Sequence, residues 1–332
     1  MSAPAARRPE GAAMAAALLA VAMWGAVPVG TRYLVDGAAP HIAPLPFVAL
    51  RFAVAALVLA PALWRARPWR WPAPDRRLAL RAAALGVIGY NLPVAIGQVD
   101  TGAGATALVI ATEPIWILLF WALKTRRRPA PAHLAGALAG AAGVALLASP
   151  ALQGGGPGPG LAWVLAGALC WSAYCVEVVP LVQRHSALAV TATTLALGCG
   201  PLLVMAAPDL LRMAPLSGSD LTLILGLALG STVLATLAWN LAVARLPGPV
   251  SGQFLYAIPA VGLTAGHLLL GEALAARSGP RWPASPWGFG SAGGTRPRPR
   301  PDAPPPIPAR RGGRRAGRSG TMPRKAGPPA GR

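Results

Sequence analysis

The sequence predicts an all-α integral membrane protein with about nine membrane-spanning helices, built from an inverted five-plus-five repeat and followed by a disordered basic tail. Three observations lead there. Of 332 residues, 54% are hydrophobic and only 12% charged, with a mean hydropathy of +0.51, a balance that a water-soluble chain of this length does not keep. The apolar residues fall in nine stretches, near 12–34, 45–64, 78–98, 102–123, 131–149, 160–180, 186–207, 219–243 and 248–270. Each is close to the roughly 20 residues that cross a hydrocarbon core of about 30 Å. Finally, GAGATALVIATEPIWILLF (102–120) and PGPVSGQFLYAIPAVGLTA (247–265) share small residues, a mid-span proline and an apolar run, and MWGAVPVG (23–30) and CWSAYCVE (170–177) set Trp24 and Trp171 at nearly the same offset.

Taken in order, residues 1–11 form a short cytoplasmic N-terminus. Arg7 and Arg8 precede an alanine-rich run that is too long for a signal core and is followed by eight more spans, so it is expected to stay as the first helix. Residues 12–149 make the first five-helix repeat, 150–160 an uncharged Gly/Pro linker, 161–276 a second repeat of four helices, and 277–332 the tail. With the N-terminus inside, fourteen Lys/Arg residues fall at cytoplasmic ends, among them Arg65, Arg67, Arg70, Arg81, Lys124, Arg126, Arg127, Arg128, Arg184 and Arg245, whereas the outer loops hold Arg32 and Arg212. That asymmetry sets the orientation. Five spans per half, an odd number, would insert the second half inverted relative to the first, the arrangement of duplicated carriers.

Several polar groups lie at membrane depth. Glu113 is about eleven residues from either end of the fourth span, near the midplane at about 1.5 Å per residue. An acid there needs a wet cavity or a partner, and it is read either as a site for a substrate amine or proton, or as a packing acid bonded between helices. Pro114 beside it cannot donate to the Ile110 carbonyl and marks a helix break, as Pro259 does in the second half. Arg51, about seven residues inside the second span, would bind a substrate carboxylate, pair with Glu113 or snorkel outward. Trp24 and Trp171 sit mid-span rather than at the headgroups, as walls of a pathway or as packing. Asn91, Gln98, Asn240, Gln253 and Tyr256 line the path or join helices. The pairs Gly136/Gly140, Gly226/Gly230 and Gly262/Gly266 have the spacing of close helix contacts.

Neither cysteines nor histidines suggest chemistry. Cys170, Cys175 and Cys199 lie inside spans without disulfide or zinc spacing, and His41, His133, His185 and His267 are scattered, with no phosphate loop or paired catalytic carboxylates beside them. No catalytic residue, metal or cofactor is expected.

The tail is of a different design. Residues 277–332 hold thirteen Lys/Arg against the single acid Asp302 and are too poor in apolar residues to fold. They read as a basic segment for nucleic acid or anionic lipid, as an ordinary disordered tail, or as a frame error in GC-rich coding sequence. Nine spans would leave the arginines outside, which favours the frame error and disfavours nucleic acid as a partner.

The stretches MWGAVPVGTRYL (23–34), ALRF (49–52), ATEPIWILLFWAL (111–123) and AIPAVGLTAGHLLLGEAL (257–274), in this order, resemble the EamA-type drug/metabolite transporters over about residues 12–276. That family has ten helices in two five-helix repeats. The chain departs from it where Lys124–Arg128 replaces a Gly-Glu pair after the fourth helix, and where Gly271-Glu272 is not followed by a tenth apolar span. The resemblance implies a bacterial inner-membrane carrier that exports a small metabolite, amino acid or drug by alternating access, with the proton as coupling ion, the bilayer as its medium and a homodimer as a candidate assembly. Alternatives from other classes are a membrane structural or regulatory protein working through its basic tail, a truncated carrier that does not transport, and an intramembrane enzyme.

Overall fold

Proline and polar breaks divide the expected spans into fifteen α-helices, seen in a computed structural model that describes residues 8–35, 42–101, 103–152 and 160–270. These all fall within the first of two compact units, residues 1–290. The expectations for the tail, for Gly271-Glu272 and for the core of the Gly/Pro linker lie outside the described residues.

The first half comprises α1 (Arg8–Val35), α2 (Pro44–Val58), α3 (Ala60–Ala66), α4 (Ala73–Ala83), α5 (Gly89–Asp100), α6 (Ala103–Ile110), α7 (Glu113–Thr125) and α8 (Pro131–Leu152). The second comprises α9 (Leu161–Glu177), α10 (Val179–Arg184), α11 (Ala187–Leu210), α12 (Gly218–Leu227), α13 (Ala235–Val243), α14 (Gly248–Ser251) and α15 (Ala257–Leu270). Six described helices or continuous helical runs are long and apolar enough to cross a membrane, and the α2–α3 pair, bent by 57°, makes a seventh. The remaining two of the nine expected stretches are also helical: the fifth is α8, Pro131–Leu152, and in the ninth α14 and α15 are separated by a 3-10 turn over Gly252–Tyr256.

The breaks have local causes. Pro61 and Pro180 lack the N–H that would reach back four residues, so the chain bends at Leu59 and Val178. At the second bend the freed Val176 carbonyl accepts a hydrogen bond from Lys124 Nζ at 3.1 Å. Ser186 caps α11 through Ala189 N, and Ser217 with Asp220 forms a capping box on α12. Two π-helical turns, Ala84–Ile88 joining α4 to α5 and Ala228–Leu234 joining α12 to α13, have no proline and were not foreseen.

The two halves interlock reciprocally. The first helix of the first half, α1, packs on α13 and α15 of the second, and the first helix of the second half, α9, packs on α5 and α7 of the first; α2 and α11 pack on each other. The π turns lie in the third stretch of each half and the breaks before Pro114 and Pro259 in the fourth. This exchange is what a pseudo-two-fold relation between duplicated halves produces. The outer surface stays apolar, with Leu57 and Val204 each 75% exposed, as expected where the solvent is lipid.

Candidate functional site

Where α9 passes between α5 and α7, the fourth stretch breaks. Helix α6 ends at Ile110, Ala111 and Thr112 form a turn, and α7 restarts at Glu113 with Pro114 in its first turn. Thr112 holds the break, donating its hydroxyl to the Val109 carbonyl (2.6 Å) and accepting from Trp116 Nε1 (2.9 Å). Ser172 on α9 donates to the main-chain oxygen of Glu113 (3.2 Å) and of Ala168 (2.7 Å).

The Glu113 side chain is 2% exposed, and its Oε1 has no hydrogen-bond partner. An unpartnered buried carboxylate oxygen is costly. Its position in the first turn of α7 sets it against the positive end of the helix dipole, which offsets part of that cost.

Aromatic rings surround the same region. Trp24 on α1 meets Trp171 on α9 edge to face at 5.2 Å and Trp239 on α13 at 5.5 Å. Trp171 also contacts Tyr90 on α5 at 5.3 Å and Tyr174 at 5.1 Å. The indole of Trp24 donates to the Ser231 carbonyl at 3.0 Å, an oxygen within the second π turn, where the regular helical ladder is interrupted. Gly86 in the first π turn lets the Tyr174 ring approach, since a Cβ there would lie 2.5 Å from Tyr174 Cδ2.

The sequence-predicted residues separate into two sets. Trp24, Trp171 and Glu113 gather around α9. Tyr90 lies within electrostatic reach of both Glu113 and Arg51, but no ion pair joins those two. Instead Arg51 donates through Nη2 to Asn91 Oδ1 at 3.3 Å, with the Phe47 and Phe52 rings 5.5 and 5.7 Å from its guanidinium carbon, and its Nε is buried without a partner. Asn91 in turn donates to the Val87 carbonyl (2.9 Å). The other candidates join helices. Asn240 accepts from Tyr174 OH (3.0 Å) and donates to Thr191 Oγ1 (2.9 Å). Tyr256 OH donates to the Ala137 carbonyl (2.6 Å) and Gln253 Nε2 reaches the His133 carbonyl at 3.5 Å, so both tie the 3-10 turn to α8. Pro259 follows that turn inside α15. The side chain of Gln98 lies outside the described residues.

Sequence reasoning missed Tyr90, Tyr174 and Trp239, and also a set of ion pairs between the halves. Glu177 at the end of α9 binds Arg81 (3.1 Å) and Lys124 (2.9 Å), while Asp75 at the start of α4 pairs with Arg184 and lies within hydrogen-bond distance of His185 Nε2, at 2.9 Å. The His185 ring also stacks on Trp71 at 3.9 Å. The scarcity of acids, ten in the chain, is the signal that would have marked Asp75 and Glu177. Two surface clefts open elsewhere, both touching Arg65, and Glu113 lines neither. Among the described residues no cluster of metal-ligating side chains occurs.

A broken membrane helix with a buried acid, duplicated halves and reciprocal packing are features shared with known carriers. The family model described as EamA-like transporter family matches residues 11–149 and again 158–278. An uncharacterized transporter of Archaeoglobus fulgidus is 27% identical over 263 residues, covering 78% of this chain and 91% of its own. A protein of Streptantibioticus cattleyicolor, named a probable terminal-alkyne amino-acid exporter, is 29% identical over 261 residues, covering 77% and 85%. In fold, a solved crystal structure superposes with a TM-score of 0.67 at 24% identity, covering 81% of this chain and 91% of that one. Two matches of one family model, one to each interlocking half, make this multi-pass membrane protein a transporter of the EamA-like family.

Proposed function

We propose that the chain is a secondary carrier of the bacterial inner membrane that exports a small amine-bearing metabolite, of the amino-acid class, in exchange for protons. The observation that carries this reading is the Glu113 carboxylate, buried at a helix break with Oε1 unpartnered. A group left without a protein partner at that depth is suited to a ligand that comes and goes, a proton or an ammonium group. The rings of Trp24, Tyr90 and Trp171 supply faces for a cation, and Arg51, part-held by Asn91, would meet a carboxylate at the other end. A relative named as an amino-acid exporter supports this substrate class. Proton and ammonium would compete for one carboxylate, so an inward proton and an outward substrate alternate on it, which couples the two fluxes without a second site.

The proposed orientation has the N-terminus in the cytoplasm. The ion pairs of Glu177 and Asp75 then lie on the cytoplasmic side and join α4 and α7 to α9 and α10; opening to the cytoplasm would have to part them.

In proteoliposomes, Glu113→Gln should fold and insert normally yet lose at least about tenfold of pH-gradient-driven amino-acid flux, because the amide keeps the shape but neither ionises nor takes a proton at accessible pH. Wild-type flux from well-inserted E113Q protein would overturn the assignment and leave Glu113 a packing residue.

A further inference from the structure

We propose that the elbow after α3 is a binding site for an anionic phospholipid, its headgroup phosphate held by Arg65, Arg67 and Arg70. These three arginines, with Trp64 and Trp69, line a cleft of about 640 Å³. Among the described residues none of the three has a carboxylate partner, so three guanidinium groups face one opening with their charge uncompensated.

The backbone builds the cleft. Arg67 adopts a left-handed conformation, φ 46° and ψ 56°, at the end of α3, which favours glycine and costs a side-chain-bearing residue on the order of 1 kcal/mol. That turn leads into the short 3-10 helix Pro68–Arg70, where Trp69 lies edge to face against Trp64 at 5.8 Å. The Trp69 carbonyl is held from the next helix by Arg76 Nη1 at 3.3 Å. Both indoles remain open, 70% exposed for Trp64 and 50% for Trp69. Exposed tryptophans at the end of an apolar helix mark the level of lipid headgroups.

A second cleft selects a lipid over free phosphate. It is about 500 Å³, meets the first at Arg65, and is walled by Val58, Pro61, Ala62, Leu188 and Ala189, between the α2–α3 bend and the start of α11. A charged recess continuing into an apolar groove matches an amphipathic ligand, with phosphate between the arginines and an acyl chain along the groove. The 57° bend between α2 and α3, caused by Pro61, accompanies that groove. Guanidinium groups bind phosphate oxygens in pairs, and near an anionic surface each basic residue contributes about a factor of five in affinity.

The test titrates the detergent-purified full chain with phosphatidylglycerol or phosphatidylcholine and counts retained lipid by native mass spectrometry. Wild-type protein should retain phosphatidylglycerol in preference to phosphatidylcholine. The variant R65Q/R67Q/R70Q should lose about a hundredfold in phosphatidylglycerol affinity. The control R126Q/R127Q/R128Q, which removes the same charge from another loop, should retain it, and size-exclusion profiles show that each variant is folded. Equal loss in both triples would overturn the site in favour of diffuse charge attraction. Displacement of the lipid by millimolar inorganic phosphate would overturn it in favour of a free-phosphate site.

Discussion

Asn240 and Glu113 are both buried polar residues at membrane depth, and their surroundings separate them. Asn240 is fully buried with its amide engaged on both sides, by Tyr174 and by Thr191, so it joins α13 to α9 and α11. Replacing it by Leu leaves the Tyr174 and Thr191 hydroxyls without that partner, which should cost about 1–2 kcal/mol and lower the thermal midpoint of the detergent-solubilised protein. An unchanged midpoint would show that neither bond matters to stability. The sequence made both residues visible, because a polar side chain in an apolar stretch needs an explanation. It did not distinguish them, because the distinction lies in partners on other helices. Tyr90 and Trp239 were illegible for a related reason: an aromatic ring within an apolar span looks like ordinary packing until Trp24 and Trp171 are seen against it.

Among the elements, the break at Pro114 follows from a missing N–H and was marked in the sequence, whereas the bend at Pro61, which has the same cause, lay unmarked inside the 45–64 stretch. The π turns at Ala84–Ile88 and Ala228–Leu234 were not read from the sequence, and the contacts found at them are tertiary: the Tyr174 ring lies against Gly86, and the Trp24 indole donates to the Ser231 carbonyl. Spacing of small residues was informative for Gly136/Gly140, and Gly262 also closely approaches α1, where a Cβ would lie 3.1 Å from the Gly25 carbonyl oxygen. Gly136 and Gly140 admit Gln253 and Tyr256, and a Cβ at Gly140 would lie 2.3 Å from Tyr256 Cδ2. Gly226 has open space instead. Gly140→Ala should therefore push the 3-10 turn from α8 and destabilise the fold by about 1–3 kcal/mol. In a Tyr256→Ala background, with the ring removed, the same substitution should cost much less. Additive losses in this double-mutant cycle would show that the ring is not what Gly140 accommodates.

At the scale of the whole molecule, reciprocal packing of α1 on α13 and α15 and of α9 on α5 and α7 is compatible with a pseudo-two-fold axis in the membrane plane or along its normal; packing alone does not choose between them. We propose the in-plane axis on the charge distribution. Lys124 lies in the last turn of α7 and Arg126, Arg127 and Arg128 follow it, whereas the stretch SPALQGGGPGPG at residues 149–160, one helix later, holds no charge. If α8 crosses the bilayer, the positive-inside bias places the first loop in the cytoplasm and the second outside. It then follows that five crossings separate the two repeats and the second is inverted. A reporter active only in the cytoplasm, fused after Arg128, should be active, and one active only outside, fused between residues 154 and 160, should be active there. Activity on the same side for both fusions would mean that α8 does not cross, and the halves would then be parallel. The reverse pair of signals would keep the inversion but place Glu177, Asp75 and the Arg65–Arg70 elbow on the outer side, so that the ion pairs would close the external end of the carrier rather than the cytoplasmic one.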